Sequence, residues 1–310
     1  MRIVLIGQDA FGDRVLQAIL QDDEEVVGVC TPPDRPGRPN TLKETAQQRG
    51  IPVFQPKRMR EPEAYSEYVK LAPELNVLAF VTEILPLQIL NCPKSGTIQY
   101  HPSLLPKHRG GSAINWAVIN GESKTGISIF WPDEGIDTGP LLLQKEVEIS
   151  PDDTVGSLYF DKLFPLGVQA LVESIRLVKQ GKAPRIPQDE SQATHEGLCT
   201  EKDAHIDWSQ PAQQVYNLIR GTNPQPGATT FYQGKKLKIY DGELKEGVAQ
   251  APGEVVAITE QGIAISAQDG LILVKRVLPE DAAKKVSSFE YSQSAKLRVG
   301  DRLATGSLSP

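Results

Sequence analysis

The stretch RIVLIGQDAFGDRVLQAILQDDEEVVGVC, residues 2–30, decides the fold. It opens on a short β-branched run, Arg2–Ile6, takes up helical apolar spacing from Asp13 to Leu20, and returns to a buried-strand pattern at Glu25–Cys30. A strand, a covering helix and a second strand in such close succession predict a parallel pair joined by a crossover. Working outward, the alternation continues. Leu42–Gln48 reads as a short helix closed by Gly50, and Ile51–Phe54, Leu75–Phe80, Gly96–Tyr100 and Thr125–Trp131 read as further strands. The implied class is α/β, with a mostly parallel sheet covered on both faces. Such sheets hold ligands beyond the carboxyl ends of their strands, so the loops after Phe80, Tyr100 and Trp131 are where a site belongs.

The turn after the first strand, Ile6-Gly7-x4-Gly12, is close to a dinucleotide fingerprint but carries Asp9 where the second glycine should be. A carboxylate there would face a pyrophosphate unfavourably, so the segment reads as a tight structural turn and no nicotinamide cofactor is expected. In the second half, Asp152-Asp153-Thr154 reads as an N-cap opening an amphipathic helix through Val155, Leu158, Tyr159 and Leu163, with a longer helix at Leu166–Gln180. Lys182–Thr200 is rich in Pro, Gln, Ser and Thr, has no periodicity, and reads as a linker. Beyond a helix at Pro211–Arg220 come five short strand patterns, Thr230–Tyr232, Lys236–Tyr240, Gly253–Ile258, Gly262–Ala267 and Leu271–Val277, which suggest a small β-barrel. The division expected is a catalytic domain at 1–203 and a barrel-like domain at 204–310.

Composition narrows the function classes. A formal charge of −6 gives no global field to gather DNA or anionic lipid, although Lys235-Lys236-Leu237-Lys238 is a candidate local basic strip. No apolar stretch approaches the ~18–20 residues of a membrane span, and the opening apolar run is too short for a signal peptide. The three cysteines, Cys30, Cys92 and Cys199, are odd in number and far apart, as in reduced thiols of a cytoplasmic protein.

Two segments could carry chemistry. His101-Pro102-Ser103-Leu104-Leu105-Pro106 starts at the end of a predicted strand, and its prolines fix φ on both sides, which suits an imidazole that must be held still. Asp133-Glu134-Gly135-Ile136-Asp137-Thr138-Gly139 follows the sixth strand and offers three carboxylates that could meet the histidine. The four histidines and these carboxylates match no metal-ligand spacing. A triad using Ser103 is disfavoured because no nucleophile elbow surrounds it.

The strings IQYHPSLLPKHRGGSAINW (Ile98–Trp116) and IFWPDEGIDTGPLLLQKE (Ile129–Glu146) resemble the family of enzymes that use 10-formyltetrahydrofolate. They are most similar to the hydrolase domain that opens 10-formyltetrahydrofolate dehydrogenase, and similar also to methionyl-tRNA formyltransferase. The likeness runs on through PDDTV (Pro151–Val155), LFP (Leu163–Pro165), APR (Ala183–Arg185) and IRG (Ile219–Gly221), and the ending KKVSSFEYSQSAKLRVGDRL (Lys284–Leu303) resembles the close of the tRNA enzyme. It implies a Rossmann-like catalytic domain and an OB-like barrel. His101 matches the family's catalytic histidine and Asp137 its catalytic aspartate. Gln99 stands where the transferases carry Asn, a departure shared with the dehydrogenase's hydrolase domain. The segment Glu83-Ile84-Leu85-Pro86 and the loop Asp133, Glu134, Gly135, Ile136 and Thr138 match the lining of the family's pterin pocket.

The resemblance implies that a nucleophile attacks the formyl carbon of 10-formyltetrahydrofolate and that the oxyanion formed needs preorganised donors. His101, held charged by Asp137, and the Gln99 carboxamide are the expected donor pair, with Asp137 also accepting the nucleophile's proton. No metal or redox cofactor is expected. Water is the favoured acceptor. An amine, whether initiator methionyl-tRNA or a small metabolite, is the rival, and Pro32–Lys43, where tRNA-acting members carry a long basic insertion, looks shortened here. A folate-binding sensor without turnover is the non-enzymatic reading.

Overall fold

A computed structural model describes residues 1–304 of the chain. β1 (Arg2–Gly7), α1 (Asp9–Gln21) and β2 (Glu25–Cys30) form the parallel unit expected from the opening stretch. Alternate residues of a strand go to opposite faces, and in β1 both sets are apolar. Val4 and Ile6 join Tyr68, Leu71, Leu78 and Ile89 in one cluster, and Ile3 and Leu5 are equally buried. α1 turns Phe11, Val15, Leu16 and Ile19 inward, each worth roughly 1.5–3 kcal/mol of burial.

α2 (Thr41–Gln48) is capped by the Asn40 side chain, and β3 (Val53–Phe54) extends the sheet. α3 (Pro62–Lys70) is not legible in the sequence because Tyr68 is its one buried residue, so no apolar stripe marks it. Then follow β4 (Leu75–Ala79), α4 (Leu87–Leu90), β5 (Thr97–His101), the short β6 (Arg109–Gly110), α5 (Ala113–Ile119), β7 (Lys124–Phe130) and β8 (Leu141–Glu148). The seven-stranded sheet has the order β3-β2-β1-β4-β5-β7-β8. Its first five strands are parallel, and β7 runs antiparallel to β5 with Gln99 opposite Phe130 and His101 opposite Ser128. The expected mostly parallel α/β sheet is therefore mixed at one side. Strand order reverses between β1 and β4, which leaves a crevice at their carboxyl ends. There Gly7 presses so closely on β4 that a Cβ would lie 2.5 Å from the Ala79 carbonyl oxygen.

Thr154 caps α6 (Val155–Ser157) through a capping box with Ser157. The helix expected to follow is one α turn, a π-helical stretch at Leu158–Leu163, and then α7 (Phe164–Lys179). Packing divides the chain into two compact units. One comprises Met1–Gly110, Gly126–Val147 and Phe160–His195, and the other Gly111–Thr125, Glu148–Tyr159 and the residues from Glu196 onward.

The second unit holds α8 (Ala212–Gly221) and an antiparallel sheet. Its strands are β10 (Ala228–Tyr232), β11 (Lys235–Lys245), β12 (Val255–Thr259), β13 (Gly262–Ser266) and β14 (Leu271–Pro279), following the two-residue β9 (His195–Glu196). The order is β10-β11-β14-β13-β12, and β15 (Val286–Ser287) pairs with β14 ahead of α9 (Ser288–Ser294). Residues 301–304 bond to both sides of this sheet. Ala304 exchanges hydrogen bonds with Phe231 of β10 at 3.0 and 2.8 Å, and Val255 of β12 donates to the Asp301 carbonyl at 2.8 Å. In this way residues 301–304 bridge the β10 edge and the start of the β12 edge. Val215, Tyr216 and Ile219 of α8 pack with Ile239, Ile265, Ile272 and Val274. The basic strip is neutralised: Lys236 and Lys238 both bond Glu201, and Lys235 bonds Asp281.

Candidate active site

β5 delivers Gln99 and His101 to one face, two residues apart, while Tyr100 points the other way onto Phe11. His101 is 5% exposed, and its Nε2 lies 2.8 Å from the His108 carbonyl oxygen. A carbonyl only accepts, so Nε2 carries a proton, and Nδ1 is the nitrogen left to face a partner. That partner is Asp137, whose Oδ2 is 3.4 Å from Nδ1. Gln99 is half-buried, and its carboxamide makes no hydrogen bond among the described residues. Of the two groups expected from the sequence to work with His101, Asp137 approaches its ring and Gln99 shares its face of β5.

The loop that carries His101 is held by polar side chains rather than by its prolines alone. The Ser128 hydroxyl donates to the Ser103 carbonyl at 2.7 Å and accepts from the Leu105 amide at 3.0 Å, and Gln144 of β8 donates to the Leu105 carbonyl at 2.8 Å. Ser103 gives its own hydroxyl proton to the Lys107 carbonyl at 2.6 Å, which removes it as a nucleophile.

In the acidic loop the three carboxylates have three different fates. Asp133 ties the turn together, accepting from the Gly135 amide and the Thr138 hydroxyl, and Glu134 is exposed. Asp137 is turned inward, 9% exposed, with its Oδ2 also accepting the Gly110 amide at 2.8 Å. It takes a left-handed backbone conformation, φ +55°, which costs a non-glycine residue on the order of 1–3 kcal/mol. His108 does the same at φ +56°. Two residues after Asp137, Gly139 has no room for a side chain, since a Cβ would lie 1.8 Å from the Trp131 carbonyl.

What restrains this strained loop is the segment expected to be a linker. Residues 182–200 lack periodicity because polar side chains, not an apolar stripe, hold them down. Ile186 exchanges backbone hydrogen bonds with Leu141, Arg185 stacks on Trp131, and the Thr194 carbonyl and hydroxyl receive the Arg109 and His108 amides. Arg109 is 1% exposed and was not singled out by the sequence, although it stands inside the KHRGG motif. Its guanidinium donates to the Gln188 carboxamide oxygen at 2.9 and 3.2 Å and to both oxygens of Glu190 at 2.7 and 2.9 Å. Gln188 in turn donates to the carbonyls of Asp137 and Gly139 at 2.8 and 2.7 Å. Neither Gln188 nor Glu190 carries a sequence signal.

At the reversal of strand order lies a cavity of about 500 Å³ lined by Gly7, Gln8, Thr31 and the segments 56–60 and 80–85. Glu83, Ile84 and Leu85 therefore line it; Pro86 and the Asp133–Thr138 loop do not. The Glu83 carboxylate is spent on the Met59 amide. Arg35, Lys57, Arg58 and Arg60 also line it, a cationic wall in an acidic protein. Among the described residues no cluster of three His, Cys, Asp or Glu side chains gathers for a metal ion, and no helix is long and apolar enough to cross a membrane.

A formyl transferase family model matches residues 1–175, and the model of the formyl transferase C-terminal domain matches residues 199–293. The chain belongs to the formyl transferase family. Among its relatives, cytosolic 10-formyltetrahydrofolate dehydrogenase of Mus musculus is 42% identical over 323 residues, covering 98% of this formyl transferase chain and 36% of that protein. The chain thus spans about a third of the length of that relative. Methionyl-tRNA formyltransferase of Geobacter sulfurreducens is 38% identical over 309 residues, covering 98% of this chain and 96% of that one. The fold is shared with HypX from Aquifex aeolicus, solved in complex with tetrahydrofolic acid, at a TM-score of 0.70 and 18% identity, over 97% of this chain and 48% of that one.

Proposed function

We propose that this chain removes the formyl group of 10-formyltetrahydrofolate and releases tetrahydrofolate, with water as the favoured acceptor and formate as the other product. The buried His101–Asp137 pair at the carboxyl edge of the sheet, with the unengaged Gln99 carboxamide on the same face of β5, carries this reading. In the step proposed, a water oxygen bonds to the formyl carbon and the carbonyl electron pair moves to oxygen. Asp137 takes the water proton, and the oxyanion is met by the N–H of Gln99 and by the Nδ1 side of His101, whose Nε2–H is held by the His108 carbonyl. Collapse breaks the bond from carbon to N10, which receives the proton. Gln99 takes the place of the transferases' Asn with one methylene more, enough to shift its donor relative to the reacting carbon.

For the donor, Glu83–Pro86 and Asp133–Thr138 are the proposed pterin-binding segments. Ile84 and Ile136 are exposed apolar side chains on these loops, with Phe80 exposed just before the first, that a flat ring system would cover. The cationic wall of the cavity suits the carboxylates at the glutamyl end of the folate. The proposed catalytic part is 1–203 and the barrel-like part 204–310, whose last six residues lie outside those described. The cytosolic enzymes among the relatives support a cytoplasmic setting.

The second reading is transfer to an amine. It is favoured by the methionyl-tRNA formyltransferase that matches this chain along nearly its whole length. 10-Formyltetrahydrofolate labelled in the formyl carbon separates the two. Label in formate without any acceptor supports hydrolysis, and label on initiator methionyl-tRNA or an aminosugar supports transfer. If Gln99 tunes the site toward water, Gln99→Asn should lower the ratio of formate to transferred label several-fold, and an unchanged ratio would remove Gln99 from the mechanism.

A further inference from the structure

We propose that Gln188 is a positioning residue: its carboxamide holds the Asp137 loop in its strained conformation and so aims the Asp137 carboxylate at His101. The inference rests on the reading of Asp137 as the catalytic carboxylate. Its geometry stands apart from that reading.

The Gln188 amide nitrogen has two protons, and both are directed to backbone carbonyls on either side of Thr138, at Asp137 and Gly139. A carbonyl pair so clamped fixes the peptide planes of the loop, and Asp137 sits in that clamp with a positive φ. Without the clamp the left-handed backbone would relax toward more populated regions. Relaxation would swing the carboxylate away from the Gly110 amide and from Nδ1 of His101. The Gln188 oxygen is oriented by two hydrogen bonds from buried Arg109, so the amide nitrogen and oxygen cannot exchange places without facing donor to donor. Arg109 directly follows His108, whose carbonyl holds the other nitrogen of His101. One carboxamide therefore connects the segments that fix both ends of the imidazole.

Glutamine is required by this chemistry, because only a carboxamide of that length offers an acceptor to Arg109 and two donors to the carbonyls at once. Gln188→Glu is the informative change. It keeps the length and the acceptor for Arg109, and places carboxylate oxygen against two carbonyl oxygens.

The test has two readouts on the full chain. Amide hydrogen exchange at Gly110, whose N–H is held by Asp137, should speed up at least about tenfold in Gln188→Glu, with exchange in β1 unchanged. In steady-state kinetics, kcat should fall about tenfold or more while KM for 10-formyltetrahydrofolate moves less than about twofold, because aim matters in the transition state rather than in binding. Unchanged Gly110 exchange overturns the clamp whether or not the protein is active on folate. Faster exchange with a wild-type kcat, in a protein that Asp137→Asn inactivates, overturns the positioning role. A wild-type chain without formyl removal instead defeats the functional reading and leaves the exchange result to decide the clamp.

Discussion

Asp137→Asn is expected to slow tetrahydrofolate release by roughly 10²–10⁴-fold while folate affinity stays within about tenfold of wild type. Asparagine has the same reach and can still accept the Gly110 amide that now bonds Oδ2 at 2.8 Å, so the loop should keep its shape. It cannot accept a proton from the attacking nucleophile, and it offers no negative charge opposite Nδ1 of His101, 3.4 Å away. The loss falls on groups that matter as charge develops, not on those that hold the ring system. Comparing single-turnover rates with a folate-binding titration measures the two effects separately. A rate within tenfold of wild type would contradict the role given to Asp137.

Arg109→Ala is expected to be the most destabilising single change at the site, by about 2–4 kcal/mol, from the lost packing of a fully buried side chain and a Gln188 oxygen left without its donors. Thermal unfolding of the variant against wild type checks it, and an unchanged midpoint would contradict it. The same substitution should alter the response to acid. The hydrogen bond from Arg109 holds the Glu190 carboxyl below its ordinary value of 4.5, outweighing the opposing desolvation, with the charge of Arg109 acting in the same sense as the hydrogen bond. A carboxyl lowered in the folded state stabilises fully above the unfolded value, and that contribution disappears as the pH falls through the lowered one. Wild type should therefore lose stability more steeply than Arg109→Ala as the pH falls below the ordinary glutamate value of 4.5. Parallel curves over that range would show that the Arg109–Glu190 pair does not contribute.

Much of the architecture was legible because apolar patterning writes it directly. The strand–helix–strand opening, the helix at Thr41–Gln48 and the five strands beyond Ala228 all follow from runs that bury one or both faces. What escaped is what polar groups hold. α3 buries Tyr68 alone, and residues 182–200 are fixed by scattered hydrogen bonds with Trp131, Leu141, Arg109 and His108. No periodicity records such contacts. His101 was legible from its place at the end of a strand, and the choice of Asp137 among three carboxylates came from family resemblance. In the structure Asp133 is consumed by its own turn, Glu134 faces solvent, and Asp137 is turned inward with a positive φ. Arg109 and Gln188 were invisible for the opposite reason, since their partners are distant in sequence.

The central claim is that His101 and Asp137 remove the formyl group of a reduced folate. Its most direct test is a single-turnover reaction of wild type and His101→Ala with 10-formyltetrahydrofolate labelled in the formyl carbon, run in water alone and with an amine acceptor. Wild type should move the label off the folate, to formate or to the amine, with one tetrahydrofolate formed per label lost. His101→Ala, folded and still binding folate, should do so at least about a hundredfold more slowly. Label that stays on the folate with wild type under both conditions, or leaves it equally fast in the variant, would contradict the claim.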